Sequence, residues 1–180
     1  MYLFSNPLFR LVLIGFLLIG HAYALPTDRQ QPLHIDADYA RMDDAKGISI
    51  YTGDVKITQG TLLLTGEKVI IHHKGGDIES IFTEGDLAHY EQQPETEKEK
   101  VYADGEIIEY YVSKEQLVLK KQGSFKQEGN LIKGDYIEYN IATDKVIAKT
   151  DPNLPAIEHT KTNKERVTIT IQPKNQDEKK

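Results

Sequence analysis

Cysteine is absent from this 180-residue chain, so no disulfide can staple it and no thiol can act as nucleophile or metal ligand. The same absence excludes a lipid-modified cysteine behind the apolar start of the chain. No G-x-S-x-G elbow is present, and Ser49, Ser80, Ser113 and Ser124 have no triad signature around them. No nucleotide-binding glycine motif occurs, so any energy input must come from another protein. Positive charge is also short. The chain has 22 Lys+Arg against 28 Asp+Glu, a formal net charge of -6, which argues against nucleic acid as a partner. After the first 24 residues no apolar run approaches the roughly 20 residues of a membrane-spanning helix.

The start of the chain has its own pattern. Arg10 is its only charged side chain and precedes an almost wholly apolar run, Leu11 to Ile19. Ala22-Tyr23-Ala24 then supplies the small-x-small pattern of a leader cleavage site. The expectation is a signal peptide over 1–24, cut between Ala24 and Leu25, that sends the rest of the chain out of the cytoplasm. One domain is expected over 25–172, followed by a disordered polar tail at 173–180.

The middle of the chain alternates apolar and polar residues. Val55 and Ile57, Leu62 and Leu64, then Val69 and Ile71 recur with period two, interrupted by Gly53, Gly60 and Gly66. Glycine accommodates the positive φ of a tight turn, so this block reads as short antiparallel strands joined by turns. The spacing returns about 70 residues later as Gly123, Gly129 and Gly134, with a weaker echo at Thr83 to Leu87. Self-similar strand units suggest a stacked or coiled β architecture in which neighbours cover each other's apolar faces. Tyr39 to Lys46 reads as a polar connection, Gly75-Gly76-Asp77 as a hairpin, Gln92 to Lys100 as an exposed loop, and Leu117 with Leu119 as strand. Val167 to Ile171 is a β-branched final strand. The result is an all-β domain of a dozen or more strands of three to six residues, without a helix. Pattern alone admits both a closed barrel and an open, twisted roll.

Three segments carry a resemblance. Pro32-Leu33-His34-Ile35-Asp36-Ala37-Asp38, Tyr51-Thr52-Gly53-Asp54-Val55-Lys56-Ile57-Thr58-Gln59-Gly60-Thr61 and Lys133-Gly134-Asp135 resemble the OstA-like family of periplasmic lipopolysaccharide-transport proteins. The likeness runs from about Gln31 to Pro173. It implies an open antiparallel β-jellyroll, V-shaped in section, with an apolar interior groove that holds the lipid A part of lipopolysaccharide. It implies a periplasmic location, head-to-tail assembly, an inner-membrane LptC-like partner and an outer-membrane LptD-like partner. No cofactor is implied.

On that reading, alternation within each strand nominates groove-lining residues. They are Ile35, Ile48, Ile50, Val55, Ile57, Leu62, Leu64, Val69, Ile71, Phe82, Tyr110, Val112, Leu117, Leu119, Phe125, Leu131, Ile137 and Tyr139. Each acyl methylene moved from water into such a groove gains roughly 0.8 kcal/mol, so lipid can be held without specific polar contacts. Lys56, Lys68, Lys74, Lys121, Lys126 and Lys133 are candidates for phosphate contacts at the groove mouth. The segments Leu33, His34, Ile35 and Val167, Thr168, Ile169, Thr170, Ile171 are expected edge strands. Pairing the first edge of one copy with the last edge of another does not close, so it builds filaments. His72 and His73 are the best metal candidates, but neighbours on a strand point to opposite faces and cannot share an ion. Two function classes follow: a lipid-carrying bridge between membranes, or an exported structural or adhesive β-module whose interior is ordinary core.

Overall fold

The computed structural model describes residues 28–94, 98–150 and 166–173. The expected leader, its cleavage point at Ala24 and Leu25, and residues 174–180 of the expected tail lie outside these. Among the described residues there is no α-helix. Ten strands form one antiparallel sheet: β1 (His34–Asp36), β2 (Tyr39–Asp43), β3 (Ile48–Gln59), β4 (Leu62–Lys74), β5 (Asp77–Gln92), β6 (Val101–Tyr111), β7 (Gln116–Gln127), β8 (Asn130–Asn140), β9 (Lys145–Lys149) and β10 (Thr168–Thr170). Strands β3 to β8 pair in sequence order. At one end β1 and β2 share the free side of β3, and at the other β10 and β9 share the free side of β8. The sheet does not close into a barrel.

Six strands are 11 to 16 residues long, where the sequence pattern suggests twice as many short ones. The reason lies in the glycines. Gly60 and Gly129 sit in the β3–β4 and β7–β8 turns, as expected, but Gly53, Gly66, Gly123 and Gly134 lie inside strands. There they mark register shifts, which recur between every adjacent pair from β3 to β8. Extra residues in a ladder bend the strand and leave groups unpaired. Together these shifts form a seam across the sheet, with positive φ at Gly53, Asp54, Leu87, Lys121 and Gln122. The approximate internal repeat is therefore a repeat of seam, turn and seam. The segment Tyr39 to Lys46, read as a connection, instead supplies β2, because Tyr39 to Asp43 finds a free ladder on β3.

The seam folds the sheet on itself. Tyr90 sits beside Ala103, and Tyr110 lies seven residues farther along β6. At about 3.3 Å per residue a flat sheet would separate Tyr90 and Tyr110 by roughly 23 Å. Their ring centroids are 5.7 Å apart. Phe125 and Tyr139 repeat the argument: Phe125 pairs with Ile132, seven residues from Tyr139, yet the two rings are 4.8 Å apart. Each long strand therefore crosses two facing leaves. Leaf one holds β2, β9 and the halves of β3 to β8 that pair with them; leaf two holds β1, β10 and the other halves. The inner faces of both leaves form one apolar cluster.

Candidate functional site

Residues directly opposite each other in an antiparallel ladder share a face. Register therefore traces rungs along the interior from edge to edge. In leaf two one rung runs Ile35, Ile57, Leu64, Tyr90, Ala103, Phe125, Ile132, Ile169. In leaf one another runs Met42, Ser49, Ile71, Ile81, Tyr110, Leu117, Tyr139, Val146. A third, through Tyr51, Val69, Thr83, Ile108, Leu119 and Ile137, lies next to the seam. The middle of each rung is sealed: Leu64 and Ile71 are 0% exposed. Each rung has one open end: Met42 is 65% exposed in leaf one and Ile169 is 58% exposed in leaf two, although both continue the inner face, whereas the opposite ends, Val146 and Ile35, pack against the cluster.

Fourteen of the eighteen nominated lining residues face or pack against this interior. Val112 does so from the 3-10 turn Val112–Lys114 that joins β6 to β7. Ile48, Ile50, Phe82 and Leu131 do not. Ile50 pairs with Ile70 and Ile70 with Phe82, on the face opposite Tyr51, Val69 and Thr83. Phe82 instead stacks edge-on against His72 and Tyr111. Leu131 lies opposite Lys126, and its neighbour Ile132 takes the inner place. The physical reason is that β3 runs on through Gly53 as a single bulged strand, so the inner set before the seam is Ser49 and Tyr51. Sequence reasoning missed Tyr51, Ile81, Ala88, Tyr90, Val101, Ala103 and Ile108. Alternation around His89-Tyr90-Glu91 is a signal that could have found Tyr90.

Few polar groups enter the interior. The Thr83 hydroxyl is buried there without a hydrogen-bond partner. Burial pushes the Tyr90 hydroxyl well above its ordinary range, and it donates to Gln92. Ser49 bonds His73 at 3.2 Å, while His72 faces the opposite side, as strand geometry requires. Among the described residues no cluster of His, Asp and Glu could hold a metal ion. The outer face carries the charge. Glu109 accepts from Lys120 at 2.6 Å and from the Tyr111 hydroxyl at 3.0 Å. Burial and that carboxylate push Tyr111 up to about 12. His89 lies between Asp104 at 2.7 Å and Glu91 at 3.2 Å. Partial burial opposes its charge, but the two carboxylates prevail and raise its pKa. The nominated lysines are not gathered at the interior. Lys68, Lys74 and Lys121 pair with Glu84, Glu79 and Glu106, and Lys56, Lys126 and Lys133 are exposed on the outer face.

The two expected edge segments lie at opposite ends of the sheet. His34 and Ile35 are in β1, with Leu33 packed against the core just before it. Thr168, Ile169 and Thr170 form β10, flanked by Val167 and Ile171. Among the described residues, β1 and β2 pair only with β3, and β9 and β10 only with β8.

Comparison with known proteins bears on this architecture. Residues 34–145 match the family described as LptA/(LptD N-terminal domain) LPS transport protein. The lipopolysaccharide export system protein LptH of Pseudomonas aeruginosa is 43% identical over 120 residues, covering 66% of this chain and 69% of that one. The lipopolysaccharide export system protein LptA of Escherichia coli (strain K12) is 32% identical over 145 residues, 78% of each chain. The crystal structure of P. aeruginosa LptH, a periplasmic component of its lipopolysaccharide transport device, superposes with a TM-score of 0.72 at 34% identity. That match covers 82% of this chain and all of the other.

Proposed function

The chain belongs to the LptA/LptD N-terminal-domain family of lipopolysaccharide transport proteins, and from that premise we propose that it carries lipopolysaccharide across the periplasm. On this reading acyl chains of lipid A lie between the two leaves, and the protein acts as a carrier without a catalytic step. The observation that supports it best is the continuity of the leaf-two rung, which runs apolar from Ile35 in β1 to exposed Ile169 in β10. A core that served only folding would gain by covering its ends. Each methylene drawn from water into such a surface contributes roughly 0.8 kcal/mol, so a few buried chains outweigh the absence of phosphate-binding charge.

The edges extend the same logic. The β1/β2 edge of one copy meets the β9/β10 edge of the next, which joins the rung ends and lengthens the apolar path. A heterologous contact of this kind propagates instead of closing. LptC-like and LptD-like proteins of the inner and outer membranes would take the same two edges at the ends of the assembly. The leader is cleaved after Ala24, leaving Leu25 as the first residue.

Photo-crosslinking in cells tests the interior. A photoreactive amino acid at Leu64 or Leu119 should give lipopolysaccharide adducts. The same group at Ile50 or Lys56, on the outer face, should give none. Absence of adducts at both inner positions would favour the second reading, an exported structural module. The near-complete burial of the rung centres suits that alternative equally well.

A further inference from the structure

Because the leaves fold together, the turn end of leaf two and the turn end of leaf one meet along a mouth opposite the seam. The 3-10 turn Asp28–Gln30, just before β1, lies across that mouth. Asp28 accepts three hydrogen bonds from leaf two: the Thr61 amide at 2.8 Å, the Thr61 hydroxyl at 2.7 Å and the Gln92 side chain at 2.8 Å. Its neighbour Arg29 donates to leaf one, to the Val112 carbonyl at 2.6 Å and the Glu115 carboxylate at 3.0 Å. Consecutive Cα atoms are about 3.8 Å apart, so this dipeptide holds the two tips within a side chain's reach of each other. Gly60 is shaped for the contact, since a Cβ there would collide with the Asp28 carboxylate. Farther along the same mouth Lys98 and Asp144 form an ion pair at 3.7 Å between the β5–β6 loop and the β8–β9 turn.

Resting on the reading of the interior as the lipid path, we propose that Asp28 and Arg29 form a clasp whose release admits the acyl chains. With the leaves closed, Leu64, Ile71, Leu117 and Ile137 are fully buried against protein, which leaves an acyl chain no surface to occupy. Entry requires the leaves to part, and parting them separates Thr61 from Val112. A clasped mouth and a filled interior are therefore alternative states, and lipid shifts the population by binding only the open one. The clasp suits this role because its bonds to the leaves come from side chains of a 3-10 turn, so it can let go without unpairing any strand. The Arg29–Glu115 pair is about half exposed, which keeps it weak enough to break. Leaf opening with lipid entry then costs a few hydrogen bonds and an exposed ion pair, a price that lipid burial can meet.

The test combines Asp28→Ala with Arg29→Ala in the otherwise complete protein. The natural absence of cysteine makes Asp77→Cys and Tyr102→Cys, one in each leaf, unique sites for spin labels. In the lipid-free protein the double alanine variant should give a longer or broader label-to-label distance. Its affinity for purified lipopolysaccharide should rise about tenfold, because five largely solvent-exposed bonds contribute about as much to the competing closed state as one to two net hydrogen bonds. Glu115→Gln removes only the charge from one of the five bonds and should move both readouts the same way by less, which keeps the test available if the double variant folds poorly. Unchanged distances with unchanged affinity would overturn the clasp. If the unmodified protein binds no lipopolysaccharide, the lipid reading fails, and the label distances alone decide whether the clasp holds the mouth.

Discussion

Leu64 and Ile169 stand on one rung of one inner face, yet Leu64 is fully buried and Ile169 is 58% exposed. The difference is one of position. Leu64 has leaf one above it and a strand on either side. Ile169 sits on a three-residue strand at the end of the sheet, with β8 as its only ladder partner among the described residues. The same contrast holds in leaf one between buried Ile71 and exposed Met42. The centre of the sheet is finished by its own chain, whereas each end presents one residue of the same apolar face unfinished, Met42 beside β3 and Ile169 beside β8. A protein whose interior continues into another copy would be built in this way.

Substitutions at the two positions should separate centre from end. The largest effect belongs to Leu64→Ala, which empties a sealed site and should cost about 2–5 kcal/mol in urea unfolding. Removing Val167 to Ile171 should come next. It takes away β10 and exposes the β8 edge, so if the proposed head-to-tail assembly holds, analytical ultracentrifugation should find the truncated chain monomeric where the full chain associates, with the proposed lipopolysaccharide binding retained. Associated species that survive this truncation would remove β10 from the assembly contact. The smallest effect is expected for Ile169→Ala, within about 0.5 kcal/mol of the parent protein measured as a monomer. Equal costs at Leu64 and Ile169 would mean that the end of the rung is as well packed as its centre, and the comparison would collapse.

Much of the fold could be read in the sequence, and the misreadings share one cause. Alternation in Val55-Lys56-Ile57 and in Ile137-Glu138-Tyr139 identified inner residues correctly because each lies wholly on one side of the seam. Gly53 and Gly66 were ambiguous because a turn and a bulge make the same demand on the backbone, freedom to adopt positive φ or close approach. Read as turns, they let Ile48 and Ile50 join the inner set; read as bulges in continuous strands, they give that place to Ser49 and Tyr51. Leu131-Ile132 and Ile81-Phe82 are runs of adjacent apolar residues, and alternation cannot say which member faces inward. The folding of the sheet about its seam, and with it the meeting of Tyr90 with Tyr110 and of Asp28 with Thr61, depends on residues far apart in sequence. No local pattern records such contacts. The β2 strand was missed for a related reason: Tyr39 to Asp43 is almost wholly exposed and carries no alternation.

The central claim is that the inner face, and not the outer, is the lipid path. The chain has no tryptophan, so a single introduced one is an unambiguous reporter. Phe125→Trp places it on the inner rung of leaf two and Phe82→Trp places it on the outer face, each by replacing one aromatic ring with another. Fluorescence would be followed as lipopolysaccharide carrying nitroxide-labelled acyl chains is added to each purified variant. The account predicts strong quenching at Phe125→Trp and little at Phe82→Trp. Equal quenching at both positions, or quenching at the outer position alone, would contradict it.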